Sequence, residues 1–132
     1  MERLILDTTV LVSAERGSTS VLAEQMADGD DVAIAAITLA ELLVGVQLAS
    51  GKKKTARAAY VERIAQTFGI EDYTAAVAST HAGLLADAKR SGRPRGAHDL
   101  IIASTAIATA RTLLTSDRQG FEATTGLSVR FV

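Results

Sequence analysis

Residues 3–12 read RLILDTTVLV. Three aliphatic side chains follow Arg3 and suit a short buried strand. An acid, two threonines and a second apolar run come next. The order predicts a strand over Arg3–Leu6 that stops at Asp7, and a helix over Thr8–Glu15. Three further acids stand beside apolar runs where the chain changes element: Glu41 in AITLAELLVG, Asp99 in RGAHDLIIAS and Asp117 in LLTSDRQGF. Strands of a parallel α/β sheet deliver their carboxyl ends to one edge, where ligand sites form. Four carboxylates gathered there would repel one another unless a cation neutralised them. Magnesium and similar hard ions take oxygen ligands of this kind. The pattern points to a metal-dependent site, with phosphodiester chemistry as the leading reading.

The remaining elements fit that plan. A helix is expected over Ser18–Ala27, a strand over Val32–Ala36 after the turn Asp28–Asp31, and a helix over Thr38–Ala49 closed by Gly51. Another helix is expected over Thr55–Phe68, with Ala59, Ile64 and Phe68 on or near one face. Gly69–Asp72 leaves room for a very short strand. Thr74 can cap a helix running to about Ser91, with Val77, His81, Leu84, Leu85 and Ala88 as its apolar stripe. Residues 97–110 are apolar nearly all round, the mark of a central buried helix. Thr112–Thr115 reads as a strand and Arg118–Ala123 as a short helix. Val129 and Phe131 alternate with polar residues, so the last strand is expected near an edge, half exposed. Strands alternating with helices imply a parallel sheet covered on both faces.

The chain has 132 residues, room for one domain with a real core. Its hydrophobic fraction of 48% and charged fraction of 22% exclude a disordered chain. It has no cysteine, which removes disulfides, thiolate metal sites and cysteine nucleophiles and agrees with a reducing cytoplasm. The apolar run in MERLILD is too short for a signal peptide, and no stretch approaches the roughly 20 residues that span a membrane. A net charge of −1 leaves nucleic-acid binding to local basic clusters.

Singly, each acid has a structural reading. Asp7 can cap the helix at Thr8, and Asp117 the helix at Arg118. Thr38-Leu39-Ala40-Glu41 forms a capping box, in which Glu41 bonds back to the Thr38 amide. Asp99 suits the first turn of its helix. Together they say more. Asp7 and Asp117 end strands that can lie side by side, and Glu41 and Asp99 lie in very apolar helices. Buried carboxylates without partners are costly, and only Arg118 lies close in sequence.

At this point the chain resembles the PIN-domain nucleases, most closely the toxin subunit of VapBC toxin–antitoxin pairs. LILDTTVLV, TLAELLVGV, GAHDLIIASTA and LLTSDRQGF match, in order, the family's four acid-bearing segments across essentially the whole chain. The resemblance implies a three-layer α/β/α PIN-like fold with a short central parallel β-sheet, as one nuclease domain over residues 1–132. It implies Asp7, Glu41, Asp99 and Asp117 as the acidic pocket, Mg²⁺ or Mn²⁺ as cofactor and RNA as substrate. Asp7, Asp99 and Asp117 are then the expected ion-holding residues, and Glu41 orients or deprotonates the attacking water. Thr115 matches a hydroxyl residue that helps position water. The resemblance also implies a cytoplasmic homodimer with an antitoxin tail near the helices Thr38–Ala49 and Thr55–Phe68. One departure stands out: many relatives have a further acid before the residue matching Phe121, whereas this chain has Gly120, which bears on a second metal position.

Among basic residues, Arg93 and Arg95 in the loop before Asp99 are candidates to hold RNA phosphates, beside Lys89 and Arg90. Lys52, Lys53, Lys54 and Arg57 read first as a solvated turn and helix start, with RNA contact as the lesser alternative. His98 reads as a residue supporting the acids from behind or as incidental, and His81 as a core-boundary residue. Ser13 and Ser116 lack a His–Asp arrangement. Other Mg²⁺-linked classes fit worse. A receiver module wants an acid pair after the first strand and a lysine near the last, but Thr8 follows Asp7 and only Arg130 is available. An aspartate-nucleophile phosphatase wants a second Asp where Thr9 stands. A PIN-domain nuclease that processes RNA without being a toxin is the nearest alternative.

Overall fold

The computed structural model describes residues 1–17 and 19–132, and for 19–21 the backbone alone. The described elements are β1 (Arg3–Leu6), α1 (Thr8–Glu15), α2 (Thr19–Gln25), β2 (Asp31–Ala35), α3 (Ala36–Leu48), α4 (Gly51–Thr67), β3 (Gly69–Glu71), α5 (Ala75–Ser91), α6 (Ala97–Ala108), β4 (Thr112–Thr115), α7 (Arg118–Phe121) and β5 (Val129–Phe131). The strands form one sheet in the order β3-β2-β1-β4-β5, and every pairing is parallel. Leu4, Leu6, Ile34 and Leu114 face a core shared with α1, α3 and α4. Ile5, Ala35 and Leu113 face the other core, with Leu84 of α5, Leu100, Ile102, Ala103 and Ala106 of α6, and Phe121. The result is the expected three-layer α/β/α sandwich around a short parallel sheet. The chain winds outward from β1 to β2 and β3, then returns to place β4 on β1's other side. The switch point of the sheet therefore lies between β1 and β4, where a crevice opens at the carboxyl ends.

β1, α1 and β4 have the expected bounds, and Thr74 caps α5 through its side chain, which accepts from the Val77 amide at 3.3 Å. Other boundaries differ for tertiary reasons. The expected start of the second helix at Ser18 lies outside the described residues. α3 begins at Ala36 directly off the strand, and the cap position is Ala35 with no side-chain bond. The Thr38–Glu41 capping box does not form: Thr38 is buried one turn inside, and Glu41 accepts a bond from Thr8 instead. Gly51 does not close α3. It opens α4 with φ +60, and α4 takes in all three lysines. Lysine is a good helix former, although cations at a helix N-terminus oppose the macrodipole. Val61 and Ile64 form α4's buried face, while Ala59 is exposed. Leu85, placed in α5's apolar stripe by periodicity, is exposed as well. α6 ends at Ala108 and the chain turns at Ala110 with φ 54; α7 stops at Phe121.

One buried charge was not legible in the sequence. Arg111 is only 7% exposed and runs beneath the sheet's second face. Its Nη1 donates to Leu4 O at 3.1 Å, Asp31 O at 2.8 Å and Asp31 Oδ1 at 3.1 Å, and its Nη2 to Glu71 Oε1 at 3.0 Å. Asp31 in turn receives Arg3 Nη1 at 2.6 Å. This group ties β1, β2, β3 and the start of β4 together. No described helix is long and apolar enough to cross a membrane.

Candidate metal centre

The backbone of β1 hands Asp7 to the crevice. The Asp7 amide donates to Leu114 O at 2.9 Å, which locks the end of β1 onto β4. Asp7 is 3% exposed and occupies α1's cap position, but its carboxylate makes no capping bond. Its Oδ2 accepts two hydroxyls, from Thr115 at 2.7 Å and Thr9 at 2.8 Å. Burial pushes the Asp7 carboxyl above its ordinary 3.8, and the two threonine bonds hold it back. Thr9 occupies the position where an aspartate-nucleophile phosphatase would need its second acid, and here it serves Asp7.

Asp117 follows β4 and meets Asp7 across the switch point. As expected, it caps α7, with Oδ1 accepting the Gly120 amide at 2.9 Å. Its own amide donates to Thr115 Oγ1 at 3.0 Å, so Thr115 links the two strand-end acids. Asp99 enters from the first turn of α6. Its carboxyl is pushed up to about 6, first by desolvation and then by the charges of Asp7, Asp117 and Glu41. Glu41 enters from α3, with Oε1 accepting Thr8 Oγ1 at 2.8 Å and Oε2 lying 3.4 Å from His98 Nδ1. The structure thus brings all four expected acids to one edge, from four separate elements.

His98, expected either to stand behind the acids or to be incidental, faces Glu41 and so stands behind one of them. Gly120 also gains a meaning. A Cβ there would collide with the Asp117 carboxylate and stand 2.9 Å from Asp99 Oδ2. A bare Cα is what lets these two carboxylates close on α7. Arg95 holds that helix in place: its guanidinium donates to Gly120 O and Glu122 O, each at 3.1 Å. Of the two candidate phosphate-binding arginines, Arg93 is exposed, whereas Arg95 is half-buried and committed to these carbonyls.

The donor set consists of carboxylates and threonine hydroxyls, which are hard oxygen ligands suited to a small divalent ion. Among the described residues no lysine or arginine pairs with any of the four acids. In this arrangement no three acids converge on a single ligating point; they ring the crevice. The chemistry of the residues therefore fits a divalent cation, whose charge would offset the burial and the mutual repulsion that raise Asp99.

The fold and site place the chain in the class of five-stranded parallel α/β/α sandwiches that carry carboxylates at the switch point of the sheet. The chain belongs to the PIN-domain family, whose model matches residues 4–127. It is 32% identical over 127 residues to Ribonuclease VapC1 of Rickettsia felis, an alignment spanning 96% of this chain and 93% of that protein. Among solved structures it is similar to VapBC2 from Rickettsia felis bound to a DNA fragment from their promoter, with TM-score 0.88, 28% identity and 98% of each chain covered. It is also similar to FitAcB from Neisseria gonorrhoeae, with TM-score 0.84, 31% identity, and 98% of this chain and 96% of that one covered.

Proposed function

We propose that this protein is a Mg²⁺-dependent endoribonuclease, active also with Mn²⁺, and the toxin of a type II toxin–antitoxin pair. One observation carries the catalytic part: four carboxylates from four elements line the crevice at the switch point and, among the described residues, no lysine or arginine pairs with them. The likeness to a protein named Ribonuclease VapC1 and to VapBC and FitAcB structures supports the rest. The likeness to VapBC structures supports an antitoxin partner; on this reading the protein is also a cytoplasmic homodimer.

Asp7 and Asp99 would hold the ion, with Asp117 as a third ligand or a hold on water. A divalent ion there would supply Lewis acidity, lowering the pKa of water and offsetting charge on the phosphate. Glu41 would take the proton of the attacking water, its Oε1 steered by Thr8 and its Oε2 beside His98. Thr115 fixes Asp7 through Oδ2, which aims the other oxygen of that carboxylate into the crevice. Attack in line would leave a 5′-phosphate and a 3′-hydroxyl. Exposed Arg93 would contact a substrate phosphate.

The purified protein is incubated with total cellular RNA plus Mg²⁺, plus EDTA, and with an Asp7→Ala control. The proposal expects discrete fragments only with Mg²⁺ and only from the parent. No cleavage by folded, antitoxin-free protein, or equal cleavage by Asp7→Ala, would overturn it.

A further inference from the structure

A second charged surface lies beyond the acids, where α1 meets α4. A groove of about 500 Å³ is lined by Glu15, Arg16, Lys53, Ala56, Arg57, Tyr60 and Arg63. Four cations there face one carboxylate, in a chain whose net charge is −1. Among the described residues none of the four forms an ion pair. Arg63 lies 5.8 Å from the centre of the Tyr60 ring, and Arg57 donates to Gly45 O at 3.3 Å. Arg16, Lys53 and Arg63 are exposed.

Three features make this more than a solvated helix face. Lys53 sits in the first turn of the 17-residue α4, with lysines on either side. Cations there oppose the helix macrodipole, and the dipole's positive end adds to their field. That arrangement is unfavourable alone and favourable once an anion arrives. The floor is rigid, because Tyr60 Oη donates to Leu11 O at 2.6 Å and fixes α4 on α1. The groove also rests on elements that reach the acid edge. Arg57 reaches the carbonyl of Gly45, one turn of α3 beyond Glu41, and Arg16 ends the helix that starts beside Asp7. At 1.5 Å per residue the far end of α1 lies roughly 12 Å from that edge.

We propose that this groove is a phosphate track, which binds the sugar–phosphate backbone of RNA flanking the bond held at the acids. The proposal rests on the ribonuclease reading. Repulsion by the acids keeps RNA from settling broadly on their edge, so affinity must come from a cationic surface set apart from the chemistry. The guanidinium planes of Arg16, Arg57 and Arg63 suit phosphate oxygens. The spacing from the acids favours a substrate several nucleotides long.

The test measures binding apart from cleavage. In a background carrying Asp7→Asn and Asp99→Asn, a fluorescein-labelled single-stranded 20-mer RNA is titrated at several salt concentrations and anisotropy is read. Adding Arg16→Glu and Arg63→Glu should weaken binding at least about tenfold. The slope of log affinity against log salt should fall by roughly 1.4, at about 0.7 per lost contact. Lys53→Gln with Arg57→Gln gives a second pair that preserves helix formers and should shift both readings the same way. Melts and circular dichroism confirm that each variant is folded. Unchanged affinity and slope in both folded pairs would overturn the proposal. Unchanged RNA binding with lost capture of a polyglutamate peptide would overturn it in favour of an acidic protein segment. A failed ribonuclease reading shows up separately, as absent Mg²⁺-dependent cleavage by the parent.

Discussion

Two charge systems of this protein, one around buried Arg111 and one around buried Asp7, touch the same sheet and are built in opposite ways. Around Arg111, the guanidinium meets Asp31 and Glu71, and Arg3 completes the group. Positive and negative groups balance, and the ion pairs tie four strands together. Around Asp7, four acids meet three threonine hydroxyls and one histidine, with no lysine or arginine among the described partners. The fold has the means to neutralise buried carboxylates and applies it at Arg111. It leaves the crevice uncompensated, so the missing charge there is a feature of the site and not of the scaffold.

The largest expected effect breaks the acidic side. Asp7→Ala or Asp99→Ala should reduce RNA cleavage at least about a thousandfold, equivalent to about 4 kcal/mol, with the far-UV spectrum unchanged. Loss of folding in both would make the acids structural. Next, Arg111→Ala breaks the balanced side and leaves Asp31 and Glu71 facing each other. Removing one member of a buried pair costs about 3 kcal/mol at the lower end of such cases, fitting here because both acids keep some exposure. Urea unfolding should show the loss; a change under about 1 kcal/mol would mean the network is slack.

The third expectation has the opposite sign. In EDTA, Asp99→Asn should stabilise the protein near pH 7. Asp99 titrates near 6 when folded against an ordinary 3.8, so the folded state holds more protons between those values. Stability of the metal-free parent should therefore fall as pH rises from about 4 to about 6 and then level off. Asp99 is only partly buried, so after discounting for screening the gain is on the order of 1 kcal/mol, a few degrees in Tm. A melt in EDTA in which Asp99→Asn is less stable would deny the repulsion. The smallest effect concerns convergence. Gly120→Ala places a methyl against both Asp117 and Asp99. It should weaken Mn²⁺ binding about threefold, roughly 0.7 kcal/mol, and titration calorimetry on folded variant would reveal equal affinity if the bare Cα were unimportant.

What the sequence made legible was local. The strand over Arg3–Leu6 and the acid at its end are written within a few residues of one another, and so, far along the chain, are the strand Thr112–Thr115 and Asp117. So the sheet edge and its four acids were readable, as was the α/β/α layering. Features that depend on three or more elements were not. Arg111 looks like a loop arginine until β1, β2 and β3 close over it. Glu41 reads as the end of a capping box until α1 brings Thr8 within reach. Arg95 looks like a free phosphate contact until α7 offers its carbonyls. The lysines at Lys52–Lys54 read as a solvated turn and helix start, and only Arg16, brought in from the end of α1, and Arg63, further along α4, give Lys53 a context.

The most direct measurement is calorimetric titration of metal-free protein with Mn²⁺ at pH 6 and pH 8, in buffers of different ionisation enthalpy. If the four acids form one cation site, binding is saturable and displaces protons from Asp99, which is about half protonated at pH 6. The account predicts release of about half a proton per ion from that residue at pH 6, almost none at pH 8, and loss of the pH 6 release in Asp99→Asn. No saturable binding, or the same proton release at both pH values, would contradict it.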